Sequence, residues 1–468
     1  MAAAGRLNEG SRGDVLHWRI FPRRMHFDPG VFLVNRSFAT IVACSLALVA
    51  QAQAADSYPR RAGYLISNPH NYWDSSYQQD IAGLDIAILS AYPGWGSSVN
   101  TTMETAVKQI KARNSKTRVF LYVIPESQVV PVSSTWPGLG SKLDSQKWWV
   151  YPSGTSGSKI VSDTGTTNFI LNITNYAKPD SSGLRFNQWF AQYMNAQIGK
   201  PNPSISGFFT DSLYWKPRKE ADWNMDGKLD SNSNDTVRQW YRQGWASYVA
   251  ALRSAMPGKQ QIANVADWGD ADAVLTELNG KLDGGLLEGM LGKSWSIEKT
   301  YGWAAMMTRY RKTMAALGGE KLGIFHAVGT PTDYQGFRYG LASCLMDNGY
   351  FAYNSTTSST GKYTGVPQFD EYNVDLGAAT SSPATSAWKS GVYRREFEKG
   401  IVLVNPKGNG AKTVALDGSF KKISGTQVPA INNGATVTSV TLNDRDGLIL
   451  LRTNVAKTPV SPEAFKVQ

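Results

Sequence analysis

Cysteine is nearly missing from this chain. Its 468 residues hold two, Cys44 and Cys344, together with only four histidines. So few thiols and imidazoles exclude a disulfide framework and make a catalytic zinc centre a poor reading. There is no G-x-S-x-G elbow, no H-E-x-x-H pair and no Walker or dinucleotide glycine pattern. There is no dense Lys/Arg run either. The formal charge of +11 is spread along the chain, which is no footprint for nucleic acid. No apolar run is long enough to span a bilayer, and a monomer is expected.

What the chain does have is aromatic mass, with 15 Trp, 21 Tyr and 17 Phe. Its hydrophobic content of 42% can supply a large core. Residues 1–54 read as a leader. A basic Arg36 precedes the apolar run Thr40–Ala50 and the small-x-small site Ala52-Gln-Ala54. Cleavage after Ala54, translation from Met25 and a secreted or periplasmic destination are the expectations. The six Arg and three acids of this segment account for three of the eleven positive charges. Its removal leaves Cys344 as a lone thiol, expected to be buried in a helix.

Eight short apolar strand candidates follow: Arg61–Ser67, Leu84–Ala91, Arg118–Ile124, Ile205–Asp211, Gln260–Ala266, Leu282–Met290, Lys321–Val328 and Gly349–Asn354. Helical periodicity separates them, most clearly over Val99–Arg113, Leu184–Ile198, Thr236–Ala255, Ile297–Leu317 and Gly336–Met346. Ala271–Leu278 and Tyr77–Ile81 are shorter helical candidates. Eight strand–helix alternations predict an α/β fold, a (β/α)8 TIM barrel over residues 55–377. Residues 387–455 alternate in short runs, which predicts a small all-β sandwich. Two long segments, Pro125–Ser182 and Ser212–Asp235, follow the third and fourth strands, on the side where barrels build active sites.

The candidate chemistry lies at strand ends. Asp211 ends the fourth strand and Glu288 the sixth, two strands apart, so both carboxyls can face the mouth. Glycosidic cleavage needs such a pair, one protonated to meet the leaving oxygen and one ionised. Asp267, after the fifth strand, rivals Glu288, and Glu126 follows the third. His326 and Asn354 end the seventh and eighth strands, where they could hydrogen-bond sugar hydroxyls. Tyr92, Trp95, Trp215 and Trp268 supply flat apolar faces for pyranose rings, as do Trp136, Trp148, Trp149 and Tyr151 in the first long loop. A catalytically silent glycan-binding barrel is the alternative reading.

The segment Asp222-Trp-Asn224-Met-Asp226-Gly-Lys228-Leu-Asp230 places oxygen ligands at alternate positions around a turn glycine, with the Lys228 carbonyl in the series. That is the front of a calcium loop, and structural Ca2+ is expected. Ser233 stands where a twelfth-position acid belongs, so Asp235 or water would have to complete the shell.

With Gly207-Phe-Phe-Thr-Asp211 after the fourth strand, Glu288 after the sixth and a terminal all-β domain, the chain resembles a bacterial group of (β/α)8 glycoside hydrolases defined as hypothetical hydrolases. The likeness covers most of residues 58–452. Val402-Leu-Val-Asn405-Pro406 and Asp444-Arg-Asp-Gly-Leu-Ile-Leu-Leu451 resemble the C-terminal domains of many barrel glycosidases. By analogy with retaining α-glycosidases of the melibiase type, the resemblance implies Asp211 as nucleophile and Glu288 as proton donor.

Overall fold

A computed structural model describes residues 57–66, 71–271, 275–355 and 365–453. The leader, Met25 and Cys44 lie outside the described residues, as does most of the Ser/Thr/Gly stretch after Ser355.

In chain order the first half runs β1 (Arg61–Leu65), α1 (Ser75–Ala82), β2 (Ile86–Ser90), α2 (Met103–Arg113), β3 (Arg118–Val123), β4 (Ser127–Val129), α3 (Leu139–Gln146), β5 (Asn168–Ile170), α4 (Phe186–Met194) and β6 (Gly207–Thr210). The second half continues with α5 (Asp235–Ala255), β7 (Gln260–Asn264), β8 (Gly284–Leu291), α6 (Ile297–Tyr301), α7 (Trp303–Ala315), β9 (Leu322–Gly329), α8 (Tyr334–Leu345) and β10 (Tyr350–Ser355). Eight of these strands close a parallel barrel in the order β1-β10-β9-β8-β7-β6-β3-β2. Each expected strand is found within two residues of its predicted start and end.

Parallel strands covered on both faces read as unbroken apolar runs, and these do. Outward residues such as Val119, Leu121 and Phe208 pack under the helices. Inward residues Tyr64, Ile88, Phe120, Phe209, Ile262, Leu286, Ile324 and Ala352 fill the barrel. Side-chain oxygens of Asp74, Thr102, Asn234 and Asp333 cap the N-termini of α1, α2, α5 and α8.

Three expectations need correction. The helix predicted over Ile297–Leu317 is two helices, broken at Gly302 with φ 78°, a conformation that favours glycine. No helix is found among the described residues of Ala271–Leu278. The long segment after β3 is built, not irregular: β4 and β5 pair antiparallel, and α3 follows β4.

The C-terminal part is a five-stranded antiparallel sheet: β11 (Tyr393–Phe397), β12 (Gly400–Asn405), β13 (Lys412–Lys422), β14 (Thr436–Leu442) and β15 (Asp446–Arg452), in the order β11-β12-β15-β13-β14. A register shift between Ala415 and Phe420 bends β13. One face carries its own apolar cluster of Ile401, Leu403, Val414, Val440 and Leu450. The other face packs on α8, which is buried from Gly336 to Leu345 and includes Cys344. Arg338 on α8 pairs with buried Asp446 at 3.1 Å. Buried Arg395 donates to the carbonyls of Leu345 and Asp347. No helix among the described residues is long and apolar enough to cross a membrane.

Candidate active site

Strand periodicity builds the site. Side chains alternate inward and outward along a strand, so the residue two beyond an inward core residue also points inward, one layer nearer the mouth. Counting two from Phe120, Phe209, Ile262, Leu286, Ile324 and Ala352 reaches Tyr122, Asp211, Asn264, Glu288, His326 and Asn354. Six adjacent strands thus turn from hydrocarbon to polar groups at one level.

Asn264 stands between the two acids. Its Nδ2 donates to Asp211 Oδ1 at 3.0 Å and to Glu288 Oε2 at 2.9 Å. Two oxygens within reach of one nitrogen can be no more than about 6 Å apart. Asp211 also accepts from the Tyr122 hydroxyl at 2.6 Å and from the Ser212 N–H at 2.8 Å. Ser212 holds φ 58°, a left-handed conformation that costs a non-glycine residue energy. Burial pushes the Asp211 carboxyl above its ordinary range. The Tyr122 hydroxyl pulls it back, the Glu288 charge adds to the rise, and the other donors oppose it. Burial and the Asp211 charge hold the Tyr122 phenol well above its usual value, so it remains a donor.

Glu288 does not end its strand. It sits where the β8–β9 ladder slips between Leu287 and Leu291, and Gly289 beside it has φ 72°. The slip re-aims the side chain at this point, as bulges next to active sites do. The Gly289 N–H donates to His326 Nδ1 at 3.2 Å. His326 Nε2 therefore carries the proton and donates to Asn354 Oδ1 at 2.8 Å. Asn354 Nδ2 donates to the Tyr64 carbonyl at 3.0 Å. Burial lowers the imidazole to about 4, so it is neutral. His326 and Asn354 are fully buried and spend these groups on the protein. These hydrogen bonds tie both side chains to the Glu288 turn and to β1.

The remaining candidates divide. Glu126 is buried after β3, and burial pushes its carboxyl up to about 7. Asp267, after β7, is raised to about 7 by burial, with Oδ1 lacking a partner. Both feel the Arg218 charge, and that guanidinium lies 3.8 Å from the Tyr214 ring centroid. Asp267 faces Arg218 and the Trp215 backbone, so Glu288 is the acid that shares a donor with Asp211.

Of the expected platforms, Trp95, Trp215 and Trp268 are buried, the last donating to the Leu213 carbonyl. Trp148, Trp149 and Tyr151 pack inside the insertion. Tyr92 is 39% exposed at the mouth. With Ser90, Tyr122, Trp136, Phe190 and Met194 it lines a cavity of about 220 Å³ at the ends of β2 and β3. Tyr122 and Asn264 were missed as site residues. The i+2 rule from Phe120 and Ile262 would have found both.

The loop from Asp222 to Asp230 closes on its own backbone. Asp222 accepts from the amides of Gly154 at 2.5 Å, Gly227 at 2.6 Å and Asp226 at 3.0 Å. Asn224 accepts from the Asp226 amide, Asp226 from that of Lys228, and Asp230 from that of Trp223. Buried Asp222 thereby ties this loop to the insertion after β3. Among the described residues no group of three or more Asp, Glu, His or Cys side chains converges as a metal site.

Residues 111–401 match the family described as hypothetical glycosyl hydrolase family 15. Comparison with curated proteins gives no match. Among solved structures the chain is similar to the glycoside hydrolase domain of PelA from Pseudomonas aeruginosa, at 14% identity over 67% of this chain and 99% of that one, TM-score 0.39. It is similar to the GH36 α-galactosidase AgaA from Geobacillus stearothermophilus, at 12% identity over 85% and 56%, TM-score 0.39. A cycloalternan-forming enzyme from Listeria monocytogenes shares 11% identity over 85% and 42%, TM-score 0.43. The chain spans about half or less of the last two proteins.

Proposed function

The chain belongs to hypothetical glycosyl hydrolase family 15, and from that premise we propose that it cleaves a poly- or oligosaccharide with retention of configuration, through Asp211 and Glu288. The observation that carries this reading is the shared Asn264 amide. Retention requires carboxyls about 5–5.5 Å apart, and inversion about 6.5–9.5 Å. An upper limit of about 6 Å between the two bonded oxygens favours retention.

The roles follow from the donors. Asp211 accepts three hydrogen bonds, from Tyr122, Asn264 and the Ser212 amide, and these favour its anion against the burial and the Glu288 charge that raise it. It attacks the anomeric carbon as Glu288 gives its proton to the departing glycosidic oxygen. The ester formed on Asp211 is then hydrolysed by a water that returns a proton to Glu288.

Two further proposals go with this one. The enzyme is exported, which rests on the leader pattern of residues 1–54. The Asp222–Asp230 loop binds a structural Ca2+, which rests on the alternate oxygen spacing and would require its carboxylates to exchange the amide hydrogen bonds they make for the ion. The test of the central proposal is product stereochemistry. Proton NMR of the first product from a cleaved glycan should show the substrate's own anomer, and D211N and E288Q should each lose several orders of magnitude in kcat. An inverted first product, or full activity in both variants, would overturn it.

A further inference from the structure

Trp295, in the loop between β8 and α6, is 54% exposed, more than Trp73 after β1 at 40% and Tyr92 at 39%. Its ring lies against the backbone of Gly289, the residue that follows Glu288. A Cβ at Gly289 would come within 2.2 Å of that ring. The absent side chain at 289 leaves room for the indole against the residue that follows the acid, with more than half of Trp295 left in water.

Its place around the barrel gives it meaning. In the strand order β8 lies opposite β2, four places away in either direction. Trp295 follows β8, whereas the cavity lined by Ser90, Tyr92, Tyr122 and Trp136 lies at the ends of β2 and β3. Between these two places come Asp211 after β6, Asn264 on β7 and Glu288 on β8. Around the rim the order is thus the cavity, the nucleophile, the shared amide, the acid and the indole.

We propose that Trp295 is the platform for the sugar ring on the leaving-group side, with the glycone held toward Tyr92 and Trp136. This rests on the carboxylate roles given above. The glycosidic oxygen must lie at Glu288 to receive its proton, and the leaving sugar continues from that oxygen, away from Asp211. A pyranose presents a C–H face there, and an indole is the side chain best suited to meet it. The specificity implied is for a sugar leaving group over a small one.

The test compares two leaving groups on one glycone. A panel of hexose and hexosamine disaccharides is screened beside the matching glycosyl fluorides, whose leaving group fills no sugar subsite. In Trp295→Ala the ratio of kcat/KM on disaccharide to that on fluoride should fall about tenfold or more. Trp295→Phe should recover most of that ratio. Trp136→Ala, on the glycone side, should lower both rates together and keep the ratio. Thermal melting of Trp295→Ala should match the parent, since the ring is exposed. An unchanged ratio in Trp295→Ala would sink this inference while leaving the carboxylate pair intact. Full activity of D211N and E288Q on the same substrates, or no turnover of any panel member, would remove the premise and the inference with it.

Discussion

Asp211 and Glu288 share one hydrogen-bond donor, with Asn264 Nδ2 3.0 Å from the first and 2.9 Å from the second. Two carboxyls this close repel when both are ionised, and a neutral amide between them reduces that cost without adding charge. It also keeps the two bonded oxygens within about 6 Å of each other, the limit on which the proposed retention rests.

Asn264→Ala should therefore lower kcat/KM by about 10²- to 10³-fold, the range for losing one preorganised donor to a reacting charge. Asn264→Asp should be worse, because a third acid would face the pair. Steady-state kinetics beside a melting curve checks this. Parent-like kcat/KM in Asn264→Ala would reduce the residue to packing.

Tyr122 controls where Asp211 titrates. Its 2.6 Å hydrogen bond lowers a carboxyl that burial otherwise raises. In Tyr122→Phe the Asp211 value should rise further. A nucleophile must be ionised, so activity is lost as pH falls through its pKa. The acidic limb of the kcat/KM profile should shift to higher pH, with a loss of about tenfold or more at the optimum. A limb that stays in place would separate Tyr122 from the ionisation of Asp211.

Much of this site was legible because two signals are local in the chain. A four-residue apolar strand running into Asp211 and the Gly-rich strand carrying Glu288 declare themselves by composition. The partners do not. Asn264 and Tyr122 look like ordinary strand residues, and only the inward parity shared with Ile262 and Phe120 places them in the mouth. The aromatic residues misled for a different reason. Trp95, Trp215 and Trp268 sit in loops after strands, but those loops fold back on the barrel and bury them. Trp295 stays out because Gly289 seats its ring on the backbone. Whether a loop ring is covered depends on tertiary packing, which composition does not carry.

Glu126 and Asp267 make stability depend on pH. Both are raised to about 7 by burial. The folded chain thus holds protons that the unfolded chain has released between about pH 4 and 7. Their contribution is fully present below about pH 4 and is lost as pH rises to about 7, a loss on the order of 3 kcal/mol at most for Glu126. Glu126→Gln and Asp267→Asn should each narrow the Tm difference between pH 5 and pH 8. If neither narrows it, the two carboxyls are already ionised in the folded chain at pH 5.

The C-terminal sheet is held to the barrel by charge as well as by hydrocarbon. Arg338 on α8 meets both oxygens of Asp446 on β15 at 3.1 Å, and both side chains are buried. A buried pair is weak evidence for net stability, yet removing one partner strands the other charge away from water. The Arg338 Nη1 nitrogen already lacks a hydrogen-bond partner, so a stranded guanidinium would be left with the through-space pull of the buried Glu371 carboxyl. Asp446→Ala should cost about 3–5 kcal/mol in thermal or denaturant unfolding. The double variant Arg338→Met with Asp446→Leu should recover part of that loss, because it removes both charges of the pair but leaves buried Glu371 without the Arg338 charge. Since α8 follows directly on β9, which carries His326, loosening this contact should reach the site through the turn at Gly289. In Asp446→Ala, activity should therefore fall at temperatures below the unfolding transition, and in the double variant it should return with stability. Recovery of stability without recovery of activity would mean that the ion pair itself sets the geometry of β9.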